Sequence, residues 1–130
     1  EIAQLIHKNL YEENIKFMGQ LSNKEVIDQI KYSKGVITAT KMQEGQPRIL
    51  NEASVLGVPS IFPKFGGMNE YFPKNYQFSF QQYNYKDLTS KILEFSESDN
   101  LIEVSENLMS FTKKLLDANF LAAKFEKIVE

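Results

Sequence analysis

The chain contains no cysteine, which fits a reducing compartment and leaves no disulfide to staple a small core. At 130 residues it is long enough to bury a core as one domain without such staples. It has a single histidine, His7, with no cysteine or second histidine to complete a metal set. Its four aspartates are isolated, so no Asp-x-Asp pair is present to hold Mg2+ or Mn2+. Basic residues are not in excess either: the net charge is -2 and the pI near 5.5, which gives no broad pull toward nucleic acid. No apolar run approaches the ~20 residues of a membrane span, and arginine occurs once, at Arg48, against 14 lysines.

What is present alternates between short strand-like and helix-like segments. Residues 1–10 carry Ile2, Leu5 and Ile6 at helical spacing and read as a helix tail, with His7 solvated opposite them. Residues 14–19 alternate apolar and polar like a strand ended by Gly19, and Ser22 with Glu25 forms a capping box for a helix to Lys31. Residues 35–40, rich in β-branched side chains, read as a buried strand that delivers the chain to Glu44. Further strands are predicted over 59–63 and 77–80. Helices are predicted over 68–72 and over 85–95, the latter with Leu88, Ile92 and Leu93 inward. The aromatics around them have no basic interleaving and read as packing residues. Residues 100–130 lack Gly and Pro and repeat apolar positions at three-four spacing, which predicts a long terminal helix bent near residues 117–119, or two in tandem, with a coiled coil as the other reading. The whole predicts an α/β fold, a Rossmann-like parallel sheet flanked by helices, with ligands at the carboxyl ends of the strands.

The most informative stretch is residues 44–52, Glu-Gly-Gln-Pro-Arg-Ile-Leu-Asn-Glu. Pro47 suits the first position of a helix of roughly ten residues that Gly57 and Pro59 stop. Gln46 is a poor cap, so the N–H groups of Arg48, Ile49 and Leu50 lack an evident partner. Such an end suits an anion, or is capped by water or by a hydroxyl from elsewhere. Ile49, Leu50, Ala53 and Leu56 share an apolar face, while Arg48 and Glu52 stack at i,i+4 beside it. Arg48 therefore either meets a phosphate at the helix end or pairs with Glu52. Gly66 and Gly67 bring backbone close to a ligand or make a tight turn. By spacing alone the Glu44 and Glu52 pair is weak evidence in a chain with 13 glutamates.

Residues 44–52, followed by Ala-Ser-Val-Leu-Gly-Val-Pro-Ser-Ile-Phe-Pro-Lys-Phe-Gly-Gly-Met-Asn-Glu to Glu70, resemble the core of the retaining, group 1 (family 4) glycosyltransferases with the GT-B fold. The glutamate pair, the Ala after the second Glu, the Gly-x-Pro helix stop, the apolar strand and the Gly-Gly-x-x-Glu turn stand in family order. Phe-Met-Gly at 17–19, with Leu21, Ser22 and Glu25, is similar to the family's strand end and following helix, and the resemblance spans about residues 14 to 95.

The resemblance implies that Glu52 binds the ribose of a nucleotide-diphosphate sugar and that Glu44 is catalytic, contacting the donor sugar. The backbone of Arg48, Ile49 and Leu50 would hold the diphosphate, Gly19 and Leu21 would border the base, and Gly45, Gln46, Gly66 and Gly67 would line the substrate. Leaving-group charge would be met by fixed dipoles, with no metal and no cofactor. Two departures stand out: Pro47 occupies the place of a family Gly, and the basic residues that grip the pyrophosphate in relatives, with the acceptor domain, precede this segment there. The expectation is a C-terminal donor-binding domain over 1–130, incomplete at its N-terminal end and not active alone. Polysaccharide or glycoconjugate assembly, capsule included, in the cytoplasm is the implied setting, with peripheral membrane contact in the full-length enzyme and self-association of the fragment. Two other classes compete: a non-catalytic nucleotide-sugar-binding or regulatory domain, and a structural interaction module built on the terminal helix.

Overall fold

The computed structural model describes residues 13–41 and 47–117. The expected helix tail over 1–10 with His7, the residues Glu44, Gly45 and Gln46, and the expected helix beyond Asp117 lie outside the described residues. Among the described residues three strands, β1 (Val36–Ile37), β2 (Ser60–Lys64) and β3 (Ser79–Gln81), pair in parallel in the order β1-β2-β3. Four helices flank them: α1 (Asn23–Lys31), α2 (Arg48–Val55), α3 (Tyr85–Glu97) and α4 (Leu101–Leu115). This is the expected Rossmann-like α/β arrangement.

β2 is the axis of the core. Its side chains alternate between faces, as any strand's do, yet Ser60, Ile61, Phe62 and Pro63 are all buried, so both faces of the sheet are covered here. Phe62 joins Leu50 of α2, Met68, Phe72 and Leu108 of α4 on one side. Ile61 joins Phe78, Phe80 and Phe95 of α3 on the other. A third cluster of Ile30, Val36, Ala53 and Val58 ties α1 and α2 to β1. The aromatics are indeed core residues: Phe62 stacks on Phe72 at 4.2 Å, and Phe95 meets Phe78 edge-on at 4.9 Å.

Local chemistry sets the helix ends. At α1 the Ser22 hydroxyl accepts from the Glu25 N–H, and Glu25 accepts from both the Ser22 hydroxyl and its N–H, completing the predicted capping box. Those hydrogen bonds hold the Glu25 carboxyl below the usual carboxylate range. α2 ends in a Schellman motif, with Val58 donating to Ala53 at 2.9 Å and Gly57 to Ser54 at 3.1 Å. Gly57 takes φ +71°, and a Cβ there would lie 2.5 Å from the Met109 sulfur. The bare glycine thus lets α4 close on α2, and the Ser105 hydroxyl of α4 donates to the Gly57 carbonyl.

Several expectations need correction. Residues 14–19 form no strand: Ile15, Phe17 and Met18 stay 44, 58 and 40% exposed. An alternating pattern becomes a strand only where a neighbour supplies the ladder, and no described strand pairs with this segment. The strand expected over 35–40 shrinks to two residues, with Ile37 half exposed. Val36 and Thr38 donate to Pro59 and Ile61. The next bond in this parallel register would come from the N–H of residue 63, and Pro63 has none. The ladder therefore stops there.

α2 runs eight residues rather than about ten, and Pro47 is its cap, with ψ 118°, rather than its first residue. The helix expected at 68–72 is a 3-10 turn, Met68–Tyr71. On α3 the core-facing stripe is Leu88 and Phe95, while Ile92 and Leu93 are 38 and 56% exposed, because only one face of the helix meets β2 and β3. On α4 the predicted repeat holds, with Leu108 fully buried.

Tyr76 closes the amino end of the sheet. Its hydroxyl accepts from the Ser60 N–H and donates to the Ser60 carbonyl, both at 2.7 Å, in place of strand pairing. Burial pushes this phenol well above its ordinary pKa, with the hydrogen bond to Ser60 opposing.

Two predictions follow from these contacts. Gly57→Ala should destabilise by about 2 to 4 kcal/mol, combining the left-handed backbone and the overlap with α4. In a Met109→Ala background the cost should fall by about 1 to 2 kcal/mol in urea melts, as the overlap is relieved; an unchanged cost would show that the backbone alone is responsible. For Tyr76 the folded pKa is raised, so its stabilisation is complete below the unfolded value of about 10 and is lost as pH rises beyond it. Urea melts from about pH 9 to 11 should show stability falling, and Tyr76→Phe should flatten that slope.

Candidate donor-site residues

Parallel pairing puts the exits of all three strands on one edge, where the loops into α2, the 3-10 turn and α3 leave the sheet. The starts of α1 and α2 are held together there by Arg48. Its Nε donates to Glu52 Oε1 at 2.7 Å and its Nη2 to Asn23 Oδ1, at the first turn of α1, at 3.0 Å. The Arg48 side chain is 74% exposed and that of Glu52 18%. Glu52 is thus a sheltered carboxylate under a solvent-facing guanidinium.

Among the described residues no side chain caps α2. The Leu50 N–H does have a partner, contrary to expectation: it donates to the Pro47 carbonyl at 3.1 Å, closing a tight first turn. No described residue takes the N–H of Arg48 or Ile49, so two donors rather than three stand without a described partner. The Leu50 side chain is buried in the core and leaves only its backbone for any site, whereas Ile49 is 37% exposed. Gly19 has φ +65° with open space around it, and Leu21 is half-buried beside the α1 start. Gly66, at φ +60°, and Gly67, which precedes the 3-10 turn, follow β2 on the same edge. They make no hydrogen bond to Arg48 or Glu52 among the described residues. Glu44, Gly45 and Gln46 are outside the described residues.

Sequence reasoning missed Asn23. It stands one residue after the Ser22 cap, and its only signal is a polar side chain opening a helix. It also missed Gln82 and Tyr83, which leave β3 on this edge and reach the Thr40 and Lys41 carbonyls, each at 3.3 Å. Of the two roles left open for Arg48, the structure displays the pairing with Glu52.

Against the known protein families, residues 1–114 match glycosyl transferases group 1. The chain belongs to that family. No curated protein matches it. Membership gives this glycosyl transferase an activated nucleotide-sugar donor and an acceptor in general terms. Among its described residues no three His, Cys, Asp or Glu side chains gather as a metal set, and no helix is long and apolar enough to cross a membrane.

Because the Arg48 guanidinium faces solvent, its pair with Glu52 in this glycosyl transferase adds little to stability. A double-mutant cycle with Arg48→Ala and Glu52→Ala should give a coupling of about 0.3 to 0.5 kcal/mol, the size of an exposed i,i+4 pair. The coupling should shrink at high salt. A value above about 1.5 kcal/mol would mean that the pair is held as a desolvated unit.

Proposed function

We propose that this chain is the C-terminal, donor-binding domain of a retaining, metal-independent glycosyltransferase of GT-B type. The observation that carries the reading is the sheltered Glu52 carboxylate one turn behind a helix start that no described side chain caps, on the carboxyl edge of a parallel sheet. A diphosphate accepts hydrogen bonds from free N–H groups at a helix N-terminus and is favoured by the helix dipole. A ribose offers hydroxyl donors, and a carboxylate one turn along the helix is the matching acceptor.

In this reading the Arg48 and Ile49 N–H groups hold the diphosphate. Arg48 leaves Glu52 for the phosphates, and Glu52 turns to the ribose hydroxyls. Because the exposed ion pair is weak, the exchange costs little. Glu44 contacts the donor sugar, and Gly45, Gln46, Gly66 and Gly67 line the substrate. Gly19 and Leu21 border the base. As the nucleoside diphosphate leaves, its growing negative charge is met by the helix end and the guanidinium. The sequence has no Asp-x-Asp pair, which supports a metal-independent route. The acceptor is held by a separate domain, and the product enters a polysaccharide or glycoconjugate made in the cytoplasm.

Calorimetric titration of UDP, GDP and the parent nucleosides into wild type, Arg48→Lys, Glu52→Ala and Glu44→Gln tests the reading. Glu52→Ala should weaken the nucleoside diphosphate by about 1.5 to 3 kcal/mol, the worth of a charged hydrogen bond. Arg48→Lys should weaken the diphosphate and spare the nucleoside, because the planar fork is lost while the charge stays. Added salt should weaken the diphosphate more than the nucleoside. Glu44→Gln should leave both affinities unchanged and lower turnover once the acceptor domain is supplied. Equal, mild effects of all three substitutions would overturn the assignment.

A further inference from the structure

Arg48 is tied to two acceptors on two different helices. Its Nε donates to Glu52 Oε1 at 2.7 Å, on its own helix, and its Nη2 to Asn23 Oδ1 at 3.0 Å, on the neighbouring one. Arginine carries five N–H donors in a rigid planar fork. Two are engaged here, and those on Nη1 have no partner among the described residues. The acceptors also differ in kind. Glu52 is a carboxylate whose charge answers the guanidinium, whereas the Asn23 amide is neutral.

Asn23 stands on a firm base. It follows the Ser22 cap directly, and Ser22 and Glu25 are locked by reciprocal hydrogen bonds at 2.8, 2.6 and 3.4 Å. The Val26 N–H donates to the Ser22 carbonyl at 3.0 Å, closing the first turn of α1. Further along this helix Ile30 is buried with Ala53 of α2, and Val26 packs against the same cluster. The position of Asn23 thus rests on the cap and the packing of α1 as well as on Arg48. Glu52, by contrast, holds Arg48 only through an exposed ion pair, the kind of contact that is cheaply given up.

We propose that Asn23 is a positioning residue for the donor diphosphate: it keeps hold of Arg48 Nη2 when Glu52 gives up Nε, and so retains the guanidinium beside the α2 start. This rests on the donor-site reading above. The Arg48 and Ile49 N–H groups, which have no described partner, stand at that helix start. A long side chain that is 74% exposed and released from its one charged partner would spread over many rotamers. Ordering it again on a phosphate costs conformational entropy, and one retained anchor removes part of that cost. A neutral anchor suits the task. The amide oxygen holds the fork without cancelling its charge, whereas a carboxylate at this position would compete with the phosphates. Glu52 is the partner that is exchanged, and Asn23 is the one that stays.

Asn23 is exposed and lies outside the capping box, so its substitution keeps the fold, with thermal melting as the check. UDP, GDP, uridine and guanosine are titrated calorimetrically into wild type, Asn23→Ala, Asn23→Asp, Arg48→Ala and the Asn23→Ala, Arg48→Ala double variant. Asn23→Ala should lower diphosphate affinity about fivefold, the worth of one hydrogen bond, and leave the nucleosides unchanged. Asn23→Asp should lower it further, and added salt should narrow that excess because it comes from charge. In the Arg48→Ala background, Asn23→Ala should bring no further loss. An Asn23→Ala variant that binds diphosphate as tightly as a binding wild type overturns the proposal. Equal losses for nucleoside and diphosphate make Asn23 merely structural and overturn it as well. A fivefold loss that persists without Arg48 overturns the route through the guanidinium. A wild type that binds none of the four ligands overturns the donor-site reading, and this proposal with it.

Discussion

Burying β2 on both faces is the constraint from which the other elements take their places. A strand has two sides, and each must be covered by something that reaches it within a short connection. Phe62 and Ile61 are adjacent in sequence yet enter different clusters, one built with α2 and α4 and the other with α3. Each fully buried side chain of this kind is worth about 1.5 to 3 kcal/mol. The arrangement also fixes where chemistry can occur. The amino edge is closed by Tyr76, and the carboxyl edge is left to loops and helix starts.

Much of this was legible where the relevant physics is local. Ser22 and Glu25 announce their helix because both halves of the capping box lie within four residues. Gly57 announces the end of α2 because only glycine accepts φ +71° cheaply. The repeat through Leu101, Val104 and Leu108 gave α4 because its period matches one face. The misses involve partners distant in sequence. Residues 14–19 have a strand's alternation, but alternation cannot say whether a neighbour stands alongside. Pro63 reads as the last residue of its strand, whereas β2 runs on to Lys64 and the missing N–H of Pro63 shortens the strand beside it. In the site, Arg48 and Glu52 were readable from i,i+4 spacing. Asn23 and Gln82 were not, since 25 and 42 positions separate them from their partners.

In the donor-site reading one weak ion pair holds the two side chains that the nucleotide would take. Without a partner, the sheltered Glu52 carboxylate would stand under-satisfied. Here the solvent-facing Arg48 occupies it with a bond weak enough to be given up. Anchoring the same guanidinium on Asn23 keeps the starts of α1 and α2 aligned. The arrangement is one of loose preorganisation, with geometry set by helices and only the side-chain partners left to exchange.

Tyr76 bears on a different matter, the alignment of strands. β3 has three residues, and a ladder that short leaves the sliding of one strand past another weakly opposed. A slip by one residue would turn Phe78 and Phe80 away from Ile61 and Phe95 and put the polar Ser79 in their place. A phenol seated on both backbone groups of Ser60 has no equivalent seat one residue along. Tyr76 is therefore a register pin, one side chain that selects among alignments the brief ladder would otherwise hardly distinguish.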